Sequence, residues 1–78
     1  MRKKELKLIV TFHTTAEAIA MESVCKAEAV PGRLIPVPRQ ISSGCGLSWS
    51  MPVEWKEELD SFMGSHGLHY EEAGEYMI

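Results

Sequence analysis

The segment over residues 6–12, Leu-Lys-Leu-Ile-Val-Thr-Phe, constrains the fold most, because it predicts a strand that is covered on at least one face. Its β-branched and aromatic side chains and its partial alternation are typical of strands. Directly after it, Thr14 and Glu17 stand in the order of a capping box, in which Thr14 caps a backbone N–H and Glu17 reaches back three residues. The chain therefore begins with a strand, expected to be central, that leads at once into a helix.

The first helix is expected to begin at Thr14 and to end near Glu28. Apolar residues recur along it at spacings of three and four, which places them on one side of a helix, with charged residues outside that stripe. The predicted apolar stripe consists of Ala16, Ile19, Ala20, Val24 and Ala27.

The middle of the chain predicts two more strands separated by a loop. Pro31 and Gly32 signal a turn, and residues 33–37 then form a short strand whose proline suits only an edge position. Residues 38–46 are rich in turn formers and have no clean period, so they predict a loop. Residues 47–51 alternate apolar and polar side chains, as a half-buried strand does.

The last third of the chain predicts a helix and a final strand. Pro52 suits the first position of a helix, and that helix would present Trp55, Leu59, Phe62 and Met63 along one side. The last strand is expected over residues 68–72, with residues 76–78 as a candidate continuation. The order is then β-α-β-β-α-β, which predicts an α+β ferredoxin-like sandwich with a four-stranded antiparallel sheet and both helices on one face.

Length and charge limit the classes of function. A domain of this size buries only about 60% of its unfolded surface, so residues 1–78 are expected to form a single domain. No apolar run approaches the ~20 residues of a membrane span, and no signal peptide follows the basic start, so we expect a cytoplasmic protein. Residues 40–78 carry one Lys against seven acids, which argues against nucleic acid as a partner.

Two cysteines and three histidines are the candidates for site chemistry. A disulfide between Cys25 and Cys45 is not expected in a reducing compartment. His66 and His69 straddle a predicted helix end without further ligands, so the sequence predicts no metal site. His13 follows the first strand, where it could edge a pocket. Cys25 lies in a helix and is interpreted as a core residue.

Cys45 is the residue placed like a reactive group. Gly44 and Gly46 flank it without side chains, so a partner can approach the sulfur closely. Loop N–H groups would favour an anion there. The side chains that could add to this effect are Arg39, Ser42 and Ser43. In the alternative interpretation, Cys45 is a small turn residue that packs inward as a weak hydrophobe.

Residues 34–48, Leu-Ile-Pro-Val-Pro-Arg-Gln-Ile-Ser-Ser-Gly-Cys-Gly-Leu-Ser, resemble the signature of a small bacterial family of selenium/sulfur carrier-like proteins. The resemblance implies a cytoplasmic carrier that holds sulfur or selenium on Cys45 as a persulfide or perselenide, without a cofactor. Its partners would be a donor protein and an acceptor protein. The residues that it implies around the sulfur are Arg39, Ser42, Ser43, Gly44 and Gly46.

Two classes of function stay open at this point. In the first, Cys45 carries sulfur or selenium between proteins. In the second, the chain is a non-catalytic ferredoxin-like binding module, and residues 38–46 bind an anion or a partner. A stand-alone enzyme is disfavoured, since no base stands beside the thiol in the sequence. The edge strand over residues 33–37 adds the hypothesis of a homodimer formed by edge pairing.

Overall fold

The computed structural model describes residues 5–41 and 45–78. Within them lie four strands, two α-helices and a 3₁₀-helix. In chain order these are β1 (Leu6–Thr11), α1 (Thr15–Ala27), β2 (Arg33–Pro36), β3 (Leu47–Pro52), the 3₁₀-helix (Val53–Lys56), α2 (Leu59–Ser65) and β4 (Glu72–Met77).

The four strands form one antiparallel sheet in the order β2-β3-β1-β4. Val10 of β1 lies opposite Trp49 of β3 on one side and Ala73 of β4 on the other. The predicted α+β class, the pairing of residues 6–12 with residues 47–51 and the edge position of β2 are confirmed. The finer ferredoxin-like assignment stays a prediction.

The core lies on one face of the sheet. Successive side chains of a strand point to opposite faces, and Leu8, Val10 and Phe12 share one of them. We call this the helix face, because the buried residues of both helices belong to the same cluster. We call the other face, with Lys7, Ile9 and Thr11 of β1, the opposite face, and Ile9 and Thr11 are buried there as well. The other members of the core cluster are Ala18, Met21, Cys25, Trp49, Met51, Leu59 and Met63.

The start of α1 follows the capping prediction closely. Thr14 is the N-cap residue, and its hydroxyl accepts a hydrogen bond from the Glu17 N–H at 3.2 Å. The Glu17 carboxylate in turn accepts a bond from the His13 N–H at 2.8 Å, which is one residue further back than expected. This bond is the largest cause of the lowered pKa of Glu17. Strand β1 and helix α1 are thereby joined through a short, well-bonded turn.

The predicted apolar stripe of α1 is wrong. Ile19 is 54% exposed, Ala16, Ala20 and Ala27 are exposed, and Val24 is half-buried. The buried side chains are Ala18, Met21 and Cys25, which also recur at spacings of three and four. Met21 and Cys25 fill the space above the sheet, whereas the predicted stripe, in which three of the five residues are alanine, would leave voids that a close-packed core does not tolerate.

Two boundaries in the last third also differ from expectation. Pro52 does not begin a helix but ends β3 opposite Lys7, and the 3₁₀-helix precedes the short α2. The last strand is Glu72–Met77 rather than residues 68–72, because these are the residues that pair with β1 on the side not bonded to β3. The pairing includes Gly74, over which the Tyr76 ring lies: a Cβ at Gly74 would be 3.1 Å from that ring.

Gly32 and Gly64 provide a matched test of the packing. Gly32 has φ of 140°, and an added Cβ would lie 2.6 Å from the Ser50 carbonyl oxygen and 2.8 Å from the Trp49 ring. We expect Gly32→Ala to lower the free energy of unfolding by roughly 2 kcal/mol or more, through backbone strain and overpacking. A Cβ added at Gly64 in α2 would meet no atom of the described residues within 4 Å beyond its chain neighbours and its own helix backbone, so Gly64→Ala should raise that free energy by up to about 1 kcal/mol.

Urea denaturation followed by tryptophan fluorescence measures both changes. Equal stability of Gly32→Ala and the parent chain would show that Gly32 does not pack on β3 as described.

Candidate functional site

Cys45 lies just before β3, at one end of the sheet. Thr11 at the end of β1 pairs with Ser48 in β3, so the start of α1 lies at this same end. Pro36 pairs with Leu47, and the Val37 N–H donates to the Gly46 carbonyl oxygen at 3.1 Å. These pairings fix the backbone that follows Cys45 between β1 and β2.

The sulfur of Cys45 interacts with the backbone of Leu47. Its Sγ lies 3.3 Å from the Leu47 carbonyl oxygen, to which a thiol can donate, and 3.4 Å from the Leu47 nitrogen, whose N–H donates to the sulfur. Deprotonation removes the first bond and keeps the second, because a thiolate can only accept. One backbone N–H donor is therefore directed at the sulfur, and this bond does not depend on the thiol proton.

Access to this sulfur is partial. Cys45 is half-buried and packs against the margin of the core. Gly46 beside it has φ of 78°, a left-handed conformation that favours glycine. Within residues 5–41 and 45–78, and apart from its two chain neighbours, no atom lies within 4 Å of the place that its Cβ would occupy. Gly46 thus provides both the backbone turn and open space next to the thiol.

The other predicted members of the site are less well defined by contacts. Arg39 is exposed in a turn that the Ile41 N–H closes by donating to the Pro38 carbonyl oxygen at 3.0 Å. In the part of the chain that the structure describes, Arg39 makes no hydrogen bond or ion pair to Cys45. The predicted residues Ser42, Ser43 and Gly44 lie outside the described residues.

Cys25 differs from Cys45 in both access and chemistry. It is completely buried in the core cluster, and burial raises the pKa of its thiol to about 11. Both cysteines are free, which confirms that they form no disulfide. The interpretation of Cys25 as a core residue is confirmed by its burial.

Within residues 5–41 and 45–78, no three His, Cys, Asp or Glu side chains are placed so that they could hold a metal ion together. His13 Nδ1 lies 3.2 Å from a Glu17 carboxylate oxygen, and the His66 ring lies 4.7 Å from the Phe62 ring. Over the same residues, the helices are too short or too polar to span a bilayer.

The sequence analysis did not find Leu47 as the partner of the Cys45 sulfur, because a contact with the backbone leaves no signal in side-chain types.

The fold and the site are those of a small α+β protein with a half-buried cysteine just before a central strand. The model of the family described as "Putative Se/S carrier protein-like" matches residues 7–74. The chain belongs to this family, which confirms the predicted resemblance. No curated protein and no solved structure matches the chain.

The difference between the two cysteines predicts selective alkylation. With its pKa raised to about 11, Cys25 would be only about one part in a thousand thiolate at pH 8, and its burial also blocks the reagent. Iodoacetamide should therefore modify Cys45 in the native protein and Cys25 only after unfolding. Peptide mass spectrometry over a time course measures both sites. The Cys45→Ser variant should take up no label in the native state, and labelling of Cys25 at the rate of Cys45 would contradict the assignment.

Proposed function

We propose that this protein is a carrier that holds sulfur or selenium on Cys45 as a persulfide or perselenide and passes it to another protein. The observation that carries the proposal is the Cys45 thiol itself, which is free, partly accessible and bonded by the Leu47 N–H. Membership of the carrier-like family supports the same class of function. Cys25 is left out of the chemistry because it is buried.

The transfer needs only thiol exchange. The Cys45 thiolate attacks the outer sulfur of a donor persulfide, a new S–S bond forms, and the donor's own S–S bond breaks. The electron pair of the broken bond leaves with the donor sulfur, which becomes a thiolate. An acceptor thiolate then attacks the outer sulfur on Cys45 and restores the Cys45 thiolate. Neither step consumes an oxidant, a reductant or a cofactor, and the selenium reaction balances in the same way.

The residues around Cys45 have distinct proposed roles. The Leu47 N–H stabilises negative charge on the sulfur both before loading and after release, since it donates in either state. Gly46 leaves room for the donor. Arg39 is proposed to attract the anionic persulfide of a partner, because a guanidinium suits sulfur and oxygen anions. The remaining proposed neighbours of the sulfur are Ser42, Ser43 and Gly44.

The proposal includes the fold type and the place of action. A ferredoxin-like assignment is supported by the strand order, since β3 lies between β1 and β2, and β1 lies between β3 and β4. Each β-α-β unit is thus split by an antiparallel strand. A single domain in the cytoplasm is in keeping with two free cysteines, and a donor and an acceptor protein are the proposed partners.

One observation favours the second candidate function, a binding module in which Cys45 only completes a turn. Both bonds that its sulfur makes within the described residues are to Leu47, two residues away. A residue that serves only the turn would keep this pattern and would not react. Serine preserves two bonds of this kind, so Cys45→Ser separates the two functions: it should abolish a carrier and spare a binding module.

Loading by a persulfide-charged cysteine desulfurase tests the carrier directly. The parent chain and Cys25→Ala should each gain one sulfur atom, measured by intact mass, while Cys45→Ala and Cys45→Ser gain none. Arg39→Ala should slow loading by about 1.4-fold to fivefold, because an exposed charge pair contributes only about 0.2–1 kcal/mol. Lys26→Ala removes an exposed charge from the other end of α1 and should leave the rate unchanged. Loading of the Cys45 variants at the parent rate would refute the proposal.

A further inference from the structure

The sheet has two edge strands, β2 and β4, which differ in how well they are protected from further pairing. Strand β2 has four residues and contains Pro36, which has no N–H to donate. Strand β4 has six residues, Glu-Ala-Gly-Glu-Tyr-Met, with neither proline nor lysine. Proline, lysine and short length are common means by which a protein blocks pairing at a sheet edge. Strand β4 is therefore the edge that accepts a partner strand more readily.

The hydrogen bonds of β4 show which of its backbone groups face outward. Glu5 and Ile78 exchange both of their N–H···O bonds, each 3.0 Å long. In an antiparallel pair, such bonded pairs alternate with pairs whose backbone groups point away from the partner strand. The residues of β4 that point away from β1 are thus Ala73, Glu75 and Met77. In the part of the chain that the structure describes, their backbone groups have no hydrogen-bond partner.

Apolar side chains beside this edge are exposed. Met77 is 52% exposed, and Leu6, its cross-strand neighbour in β1, is 43% exposed. Ala73 is also exposed. All three lie on the helix face, because Leu6 shares that face with Leu8. Exposed apolar side chains that adjoin one another, rather than being scattered singly, mark interaction sites. The outward backbone of β4 thus lies next to apolar surface that a partner strand can cover.

The end at which β4 begins is acidic. Glu71 and Glu72 are exposed and form no ion pair within the described residues. Further along the strand, the Glu75 carboxylate lies 2.6 Å from the Lys56 ammonium, so these two charges offset each other. A second copy of the chain would bring two acidic edges together, which opposes self-pairing. A basic partner gains attraction at the same place.

The other end of β4 carries charges of both signs. The Glu5 carboxylate lies 3.1 Å from the Lys7 ammonium. The terminal carboxylate of Ile78 lies beside Glu5, and the sequence has basic residues at positions 2–4, directly before Glu5. Selection of a partner by charge is therefore assigned to the acidic end of β4 alone.

We propose that the free edge of β4 binds an extended segment of a partner protein in which apolar residues alternate with Lys or Arg. The segment pairs with the outward backbone of Ala73, Glu75 and Met77, as in strand addition to a sheet edge. Its apolar side chains lie on the helix face, beside Ala73 and Met77. Its cations then point to the opposite face, where Glu72 lies next to Thr11. One alternating strand thus matches both faces of β4.

This edge is separate from the thiol. Strands β3 and β4 lie on opposite sides of β1, so a segment added beyond β4 is three strand spacings, about 14 Å, from β3. Thr11 pairs with both Ser48 in β3 and Glu72 in β4, so the acidic end of β4 lies at the same end of the sheet as Cys45. A bound partner therefore leaves Cys45 free, and the binding does not depend on sulfur or selenium chemistry.

A capped hexapeptide of alternating Lys and Val, titrated into the isotopically labelled protein and followed by NMR, tests the proposal. In the free protein, the amides of Gly74 and Tyr76 should exchange slowly, because they bond to β1, whereas those of Ala73, Glu75 and Met77 should exchange fast. Binding should protect the second set and leave the first unchanged. Affinity should fall as salt is raised.

Two variants separate backbone pairing from charge. Ala73→Pro removes an outward N–H without removing a bond to β1, and it should weaken binding at least about fivefold. Slow exchange at Tyr76 checks that its sheet is intact. Glu72→Lys replaces attraction by repulsion and should weaken binding at least about twofold. Glu28→Lys makes the same change of charge at the end of α1 and should leave binding unaltered.

Four outcomes would overturn the proposal. The first is absence of binding, and the second is equal binding of a hexapeptide of alternating Glu and Val. The third is protection of the outward β4 amides by raised protein concentration alone, which would identify a second copy of the chain as the occupant. The fourth is a response to the peptide at Leu34 in β2 with none in β4, which would identify the other edge as the docking site.

Discussion

The pairing of β1 on both of its sides is the constraint on which the other elements depend. Because β3 and β4 both bond to it, β1 must present Leu8, Val10 and Phe12 to one face, where all three are buried. Burial of each such side chain contributes about 1.5–3 kcal/mol. The buried residues of both helices pack in the same cluster as these three side chains, so the helix positions follow from this strand.

The same constraint separates the two cysteines. The helix face takes Cys25 into the core, where burial makes its thiol both inaccessible and hard to ionise. The strand pairing ends before Cys45, which leaves its sulfur at the margin of the core with one backbone donor beside it. Two otherwise identical side chains thus differ in burial, because Cys25 lies within the core cluster and Cys45 lies before the paired residues of β3.

The sequence predicts the elements whose signals are local, and it misses the choices that tertiary contacts make. The strand over residues 6–12 and the cap at Thr14 are visible because alternation and capping chemistry are short-range. Helix α1 carries apolar residues on several sides, so two different sets of apolar residues fit the helical period. The set that packs against the sheet is the one that contains Met21. The strand β4 carries Gly74 and two acids, and only pairing with β1 makes it a strand. The backbone contact of Cys45 with Leu47 has no signal in side-chain types.

The central claim is that Cys45 carries sulfur or selenium, and the state of this thiol in living cells tests it most directly. The protein would be isolated from cells that make it naturally, with thiols trapped by alkylation at lysis, and its peptides weighed. The account predicts one additional sulfur or selenium atom on the peptide that contains Cys45, removable by reductant, and none on the peptide that contains Cys25. A peptide in which Cys45 is always the simple thiol, under both sulfur and selenium supply, would contradict it.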